Sequence, residues 1–208
     1  MPRLATAEKV EIQNETRMKL LDAAANEFAN HGFTGANINQ ISLVAGYAKG
    51  TVYNYFATKR DLMLALIDEI GAQHADFIIA QVEIEADPQE RLRCFFEAGF
   101  RFVEQYPQQA QVAISAVYGF DPEFKARIYQ AYEKLFTLII KDIVGYGIEL
   151  QEFKASDADS AAALLMSTYL GGSSLYSPDG GVWFNAEKVA AFIMDGIRQR
   201  NGSSHEAE

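Results

Sequence analysis

At 208 residues with 49% hydrophobic side chains, the chain has the composition of an ordinary globular protein and enough apolar material for one large or two modest helical domains. The single cysteine, Cys94, excludes an intramolecular disulfide, and its neighbours Phe95 and Phe96 point to a packed thiol rather than a redox sensor. No apolar h-region follows Met1 and no apolar run is long enough to span a bilayer, so a soluble, cytoplasmic chain without a membrane partner is expected. The net charge of −10 argues against a nucleic-acid partner until its distribution is examined, because residues 1–60 hold seven Lys/Arg against five acids, a balance of +2 that leaves −12 on the remainder. Between Phe28 and Arg60 there is no acid at all. A locally positive surface on an acidic body leaves one docking face for a polyanion.

Nearly every boundary signal along the chain is a helix signal. Residues 8–30 read as a first helix with Leu20, Leu21, Ala24, Ala25 and Phe28 as its apolar stripe and Gly32 as its stop. Asn37 and Gln40 have the N-cap and N3 spacing of a capping box, so a short helix starts at Ile38, with Ile41, Val44 and Ala45 as its apolar face. Gly46 ends it, supplying the positive φ of a tight turn, and a second short helix follows at once. There Val52 and Tyr55 face the core, while Lys49, Thr51, Tyr53 and Asn54 point outward as donors suited to phosphates and base edges. Thr58 and Asp61 open a long helix that runs towards Ala86, and Asp87-Pro88-Gln89-Glu90 opens the next, which stops near Tyr106-Pro107. A shorter helix ends about Gly119; Asp121-Pro122-Glu123 starts another, closed by Gly145 and Gly147. Ser156 caps an apolar helix with no wide polar face, and Asn185 caps a last one through Ile197. The pattern is all-α, about nine helices, with 201–208 a disordered tail.

The stretch Phe28, Gly32-Phe33, then Ile41-x-x-x-Ala45-Gly46-x-x-Lys49-Gly50-Thr51-Val52-Tyr53-Asn54-Tyr55-Phe56, with Lys59 and Leu62 beyond, resembles the signature of the tetracycline-repressor (TetR/AcrR) family of transcriptional regulators. It departs at Ser42 for the usual Ala, Tyr47 for Val, and Ala48 for Ser or Thr, the last removing a side-chain cap. Gly46-Tyr-Ala-Lys49-Gly50-Thr51 is not a phosphate loop, since lysine precedes the second glycine and no strand leads into it. The resemblance implies a helix-turn-helix DNA-binding domain over 1–60 and a ligand-binding and dimerisation domain over 61–200. It implies a double-stranded operator with an inverted repeat, a homodimer, and a small-molecule effector that releases a repressor. A ligand-binding dimer that no longer reads DNA, an activator on the same fold, and an enzyme on the same scaffold are the alternatives.

For the DNA face the expected residues are Asn37, Tyr47, Lys49, Gly50, Thr51, Tyr53, Asn54 and Lys59, with free N–H groups beside Lys59 favouring an anion. The helices over 88–170 are crowded with aromatics. Most are core, yet their tyrosines need hydroxyl partners, and a mostly apolar pocket touching Phe100, Tyr118, Tyr132, Phe136, Met166 and Tyr169 suits a hydrophobic or amphipathic effector. The last two helices carry more apolar surface than one subunit can hide, so Ala162, Ala163, Met166, Leu170, Gly171, Ser174, Val189, Phe192, Ile193 and Gly196 form the expected dimer seam. Glu97, Arg101 and Glu104 read as a surface ion-pair ladder. His31, His74 and His205 are far apart, and H-E-x-x-H, C-x-x-C and G-x-S-x-G are absent. No catalytic residue, metal site or cofactor is expected.

Overall fold

The computed structural model describes residues 6–82, 86–154, 157–174 and 186–197, and every element among them is helical. In chain order these are α1 (Thr6–Gly35), α2 (Ile38–Val44), α3 (Lys49–Tyr55), α4 (Lys59–Ile79), α5 (Pro88–Gln105), α6 (Pro107–Tyr118) and α7 (Pro122–Ala131). Then come α8 (Glu133–Thr137), a π-helix (Leu138–Gly145), α9 (Tyr146–Glu149), α10 (Ala158–Ser174) and α11 (Ala186–Ile197). The chain forms two compact units, one of residues 1–73 with 106–131 and one of 74–105 with 132–208.

In the first unit, α1 packs on α6 and α2, α2 on α3, and α6 on α7. Leu20, Leu21, Ala24, Phe28, Ile41, Val52, Leu62 and Ile67 are buried there. Gly32 breaks α1 with φ 65° and ψ 175°, and a further turn follows it to Gly35. The α4 start is a reciprocal capping box: Thr58 N–H donates to Asp61 Oδ2 at 2.9 Å, and Asp61 N–H to Thr58 Oγ1 at 3.1 Å. Asp87 and Asp121 cap their helices as the spacing predicts, through Glu90 N–H at 2.8 Å and Glu123 N–H at 3.0 Å.

The second unit departs further from the expected boundaries. The helix expected to run towards Ala86 ends at Ile79. The one expected to run unbroken to Gly145 and Gly147 is interrupted at Tyr132 (φ −94°, ψ 6°) and underwound into the π-helix, ending at Glu149. Neither glycine is a terminator. A Cβ on Gly145 would sit 2.7 Å from the Ile140 carbonyl oxygen, and one on Gly147 2.3 Å from the Phe153 ring, so both serve close approach inside the helix. The chain instead leaves the helix through Gln151, at φ 58°. Asp157 caps α10 through Ser160 N–H at 2.7 Å; Ser156, Asn185 and the tail at 201–208 lie outside the described residues. The helix α10 is not buried all round, since Ala163, Leu164, Ser167 and Thr168 are exposed. Glu97 pairs with Arg93 while Arg101 donates to Gln81, so the expected ladder does not form.

Candidate nucleic-acid interface and effector core

Seven residues make α2, and its buried stripe is Ile38, Ile41 and Ser42. Of the expected stripe only Ile41 is buried: Ala45 is half-buried, and Leu43 and Val44 are left at 71% and 67% exposure. The Ser42 hydroxyl, buried where the family pattern has alanine, is satisfied by donating to the Asn39 carbonyl at 2.9 Å. Asn37 caps the helix, accepting from Asn39 N–H at 2.9 Å, but its own N–H goes to Glu27 Oε1 at 2.9 Å rather than to Gln40. At the other end Gly46 N–H reaches the Leu43 carbonyl at 3.1 Å and Tyr47 N–H the Ser42 carbonyl at 2.8 Å, with Gly46 at φ 78°. That pair of bonds is a Schellman motif, and it turns the chain directly into α3.

On α3, Val52 is buried and Tyr55 half-buried, with Phe56 buried just beyond its end; Lys49, Gly50, Tyr53 and Asn54 are exposed and Thr51 half-buried. Lys49 is in no ion pair among the described residues, and the sequence around it from Phe28 to Arg60 holds no carboxylate. Ala48 offers no side-chain cap. Three of the expected DNA-face residues have structural partners. Tyr47 donates to Thr16 Oγ1 at 3.3 Å; Asn37 is the α2 cap; Lys59 Nζ donates to the Thr34 and Ala36 carbonyls at 3.1 and 3.0 Å and lies 5.1 Å from the Phe33 ring centroid. The first turn of α4 also already holds an anion, the Asp61 carboxylate of its capping box. Arg60 beside it is bound by Asp121 at 2.8 Å and Glu123 at 2.7 Å, between the Phe33 and Phe124 rings, and its hydrogen bonds hold the Asp121 carboxyl below its ordinary range.

The second unit contains a buried polar core that the sequence reading missed. His74 Nδ1 lies 2.7 Å from the Tyr132 hydroxyl, His74 Nε2 lies 2.9 Å from the Tyr169 hydroxyl, and that hydroxyl donates to the Gly99 carbonyl at 3.0 Å. Phe102 stacks on the imidazole with centroids 4.0 Å apart. Burial holds the His74 pKa down to about 3 and pushes the Tyr132 phenol up. A Cβ on Gly99 would stand 2.6 Å from Tyr169 Cε2, which explains glycine at that point of α5. Of the expected effector residues, Phe100, Tyr132, Met166 and Tyr169 are buried in this unit and Phe136 is half-buried. Tyr118 belongs to the first unit and is exposed. Sequence spacing could not join His74 to residues 58 and 95 positions away.

The expected dimer residues divide. Ala162, Met166 and Val189 are buried within the chain, Leu170, Gly171 and Ile193 are partly covered, and Ala163, Phe192 and Gly196 are exposed; the Ser174 side chain lies outside the described residues. Leu164, 70% exposed, and Phe192, 82% exposed, flank a groove of about 460 Å³ that also takes in Thr168, Ile193 and Gly196. Leu164 and Thr168 were absent from the expected seam, although their i, i+4 spacing within an apolar helix is legible.

An all-α chain with a Schellman-turned helix pair presenting unpaired donors is a helix-turn-helix DNA-binding regulator. The comparisons agree. The family described as "Bacterial regulatory proteins, tetR family" matches residues 20–66, and "Tetracyclin repressor-like, C-terminal domain" matches residues 85–199. The chain belongs to the TetR family of bacterial transcriptional regulators. It is 30% identical over 138 residues to the transcriptional activator FasR of Mycolicibacterium smegmatis, an alignment spanning 62% of this chain and 61% of FasR. It is 25% identical over 191 residues to the transcriptional repressor KstR2 of Mycobacterium tuberculosis, covering 88% of this chain and 94% of that one. The crystal structure of FadR from Bacillus subtilis in complex with stearoyl-CoA superposes with a TM-score of 0.74 at 20% identity, over 86% of this chain and 95% of FadR.

Proposed function

We propose that the chain is a repressor that binds an inverted-repeat operator as a homodimer and is released by an amphipathic effector of the acyl-thioester class. The observation that carries the DNA reading is the solvent-facing set Lys49, Gly50, Tyr53 and Asn54, with half-buried Thr51 among them, on a helix that follows a turn closed by backbone bonds. Asn37, Tyr47 and Lys59 hold the frame of that face through their bonds to Asn39, Thr16 and Ala36. The dimer reading is supported by the exposed apolar pair Leu164 and Phe192 beside Ala163 and Gly196, which a second copy would cover. The effector reading is supported by the aromatic core around Phe100, Tyr132, Phe136, Met166 and Tyr169 and by the stearoyl-CoA bound to FadR. KstR2 supports repression. FasR, an activator, keeps activation as the second reading. The relatives are regulators and supply no enzymatic step; the cytoplasm, where the operator is, is the proposed location. Among the described residues no helix is long and apolar enough to cross a membrane.

Release needs only differential affinity. An effector that prefers the operator-incompetent conformer by roughly 100-fold supplies about 2.7 kcal/mol of coupling, enough to empty a moderately occupied operator. The test is a gel shift with duplex DNA from upstream of the chain's own gene, with salt and stearoyl-CoA as variables. Six phosphate contacts would give a log–log salt slope of about −5. A slope near zero, or no preference for that DNA over a scrambled duplex, defeats the DNA reading. A shift that stearoyl-CoA and shorter acyl-CoA thioesters leave untouched defeats the effector class.

A further inference from the structure

The hydrogen-bond chain through His74 has only one consistent proton arrangement. The Tyr169 hydroxyl spends its single proton on the Gly99 carbonyl, so toward His74 it can only accept, and Nε2 must carry the imidazole proton. Nδ1 is then an acceptor, and the Tyr132 hydroxyl donates to it. Each bond thus fixes the direction of the next: Tyr132 to His74 to Tyr169 to the α5 backbone. All three side chains are buried, and their polar atoms are satisfied where they lie. Losing one link leaves a buried polar atom without a partner, so the chain is made or broken largely as a whole.

Its position gives it leverage. Tyr132 occupies the single residue between α7 and α8, at φ −94° and ψ 6°, where the helical path is interrupted. His74 lies on α4, a single helix that begins at Lys59, directly after the DNA-binding helix pair. Tyr169 lies on α10, and its ring fills the space that a Cβ on Gly99 would need. One imidazole therefore ties the interruption before α8 to α4, α10 and α5.

We infer that His74 is a conformational lock: with Tyr132 docked on it, the chain is held in its operator-competent form, and an effector acts by drawing the Tyr132 hydroxyl away to an acceptor of its own. The inference rests on the effector-released reading above and deepens it. It requires the effector to bring a hydrogen-bond acceptor, such as a thioester or ester carbonyl, among the aromatic rings; a pure hydrocarbon would fill space without opening the lock.

The test separates the lock from the identity of the effector. Nitrogen-15 spectra of the histidine-labelled dimer should show one histidine with a pyrrole-type Nε2 and a pyridine-type Nδ1, unchanged across the neutral range, and lost or shifted in Tyr132→Phe. In the absence of any effector, Tyr132→Phe should weaken operator binding by about tenfold, the scale set by one buried hydrogen bond, with the fold and dimer intact. Tyr169→Phe should do the same through the other end. Operator affinity equal to or tighter than wild type in both folded variants, or a histidine 74 protonated on Nδ1, overturns the lock, whatever stearoyl-CoA does to the wild-type complex. Should stearoyl-CoA fail to release wild type while Tyr132→Phe still shows the tenfold loss, the lock stands and the effector class falls.

Discussion

In the helix-turn-helix part of the first unit the caps and the turn are set by partners a few residues apart, whereas in the second unit the decisive bonds join residues far apart in sequence. Asn37 caps through a residue two positions on, and Thr58 with Asp61 across three. His74 meets Tyr132 across 58 positions, and Tyr169 meets Gly99 across 70. The glycines differ in the same way. Gly46 in the first unit is there for its positive φ, with nothing within 4 Å of a built Cβ. Gly99 and Gly147 in the second have ordinary helical backbones and are there because an aromatic ring occupies the place of a Cβ. Local devices can be changed at modest cost; close approach cannot.

The largest effect expected of that contrast is on glycine replacement. Gly99→Ala drives a methyl into the Tyr169 ring, whose hydroxyl is held by two hydrogen bonds, and should cost about 3 kcal/mol in urea unfolding. Gly50→Ala, exposed on α3 with open space around its Cβ, should be neutral or stabilise by up to about 1 kcal/mol. Equal losses at the two sites would erase the distinction.

Next comes the pH response. In the unfolded chain His74 protonates near the ordinary 6.5, and in the folded chain only near about 3. The folded state therefore keeps its full advantage above 6.5 and loses it progressively as pH falls towards 3. Wild type should lose about 2 kcal/mol more than His74→Gln between pH 7 and pH 5, measured by paired denaturant titrations. Parallel pH curves for the two proteins would show that the imidazole is hydrated rather than sealed in the core.

The first unit should answer to function more than to stability. Lys49→Ala should weaken operator binding by about 1–2 kcal/mol and reduce the magnitude of the salt slope by about one, with the melting temperature unchanged. Finding the melting temperature lowered and the salt slope intact would move Lys49 from the DNA face into the fold. The smallest effect is a gain. Ala48→Ser restores the side-chain cap that α3 lacks and should add roughly 0.5–1 kcal/mol in thermal unfolding. No gain would mean that the Schellman turn already orders the α3 start.

The helix-turn-helix was legible because many of its determinants are short-range: a glycine where φ must be positive, the Asn37 cap, the Thr58 and Asp61 pair beyond it, and an acid-free run with polar residues on the open face of α3. Even there, the buried face of α2 was misplaced, with Val44 exposed and Ser42 buried, because seven residues give too few turns for the apolar period to be unambiguous, and burial of Ser42 depends on its bond to Asn39. Gly145 and Gly147 carry the same local signal as a helix stop, and only packing against Ile140 and Phe153 distinguishes the two uses. Likewise, the sequence by itself determined that the aromatic helices would need partners for their tyrosine hydroxyls. Which tyrosines meet which histidine was decided by the tertiary structure alone, since a buried hydrogen bond is chosen by what folding brings within 3 Å and not by what lies nearby along the chain.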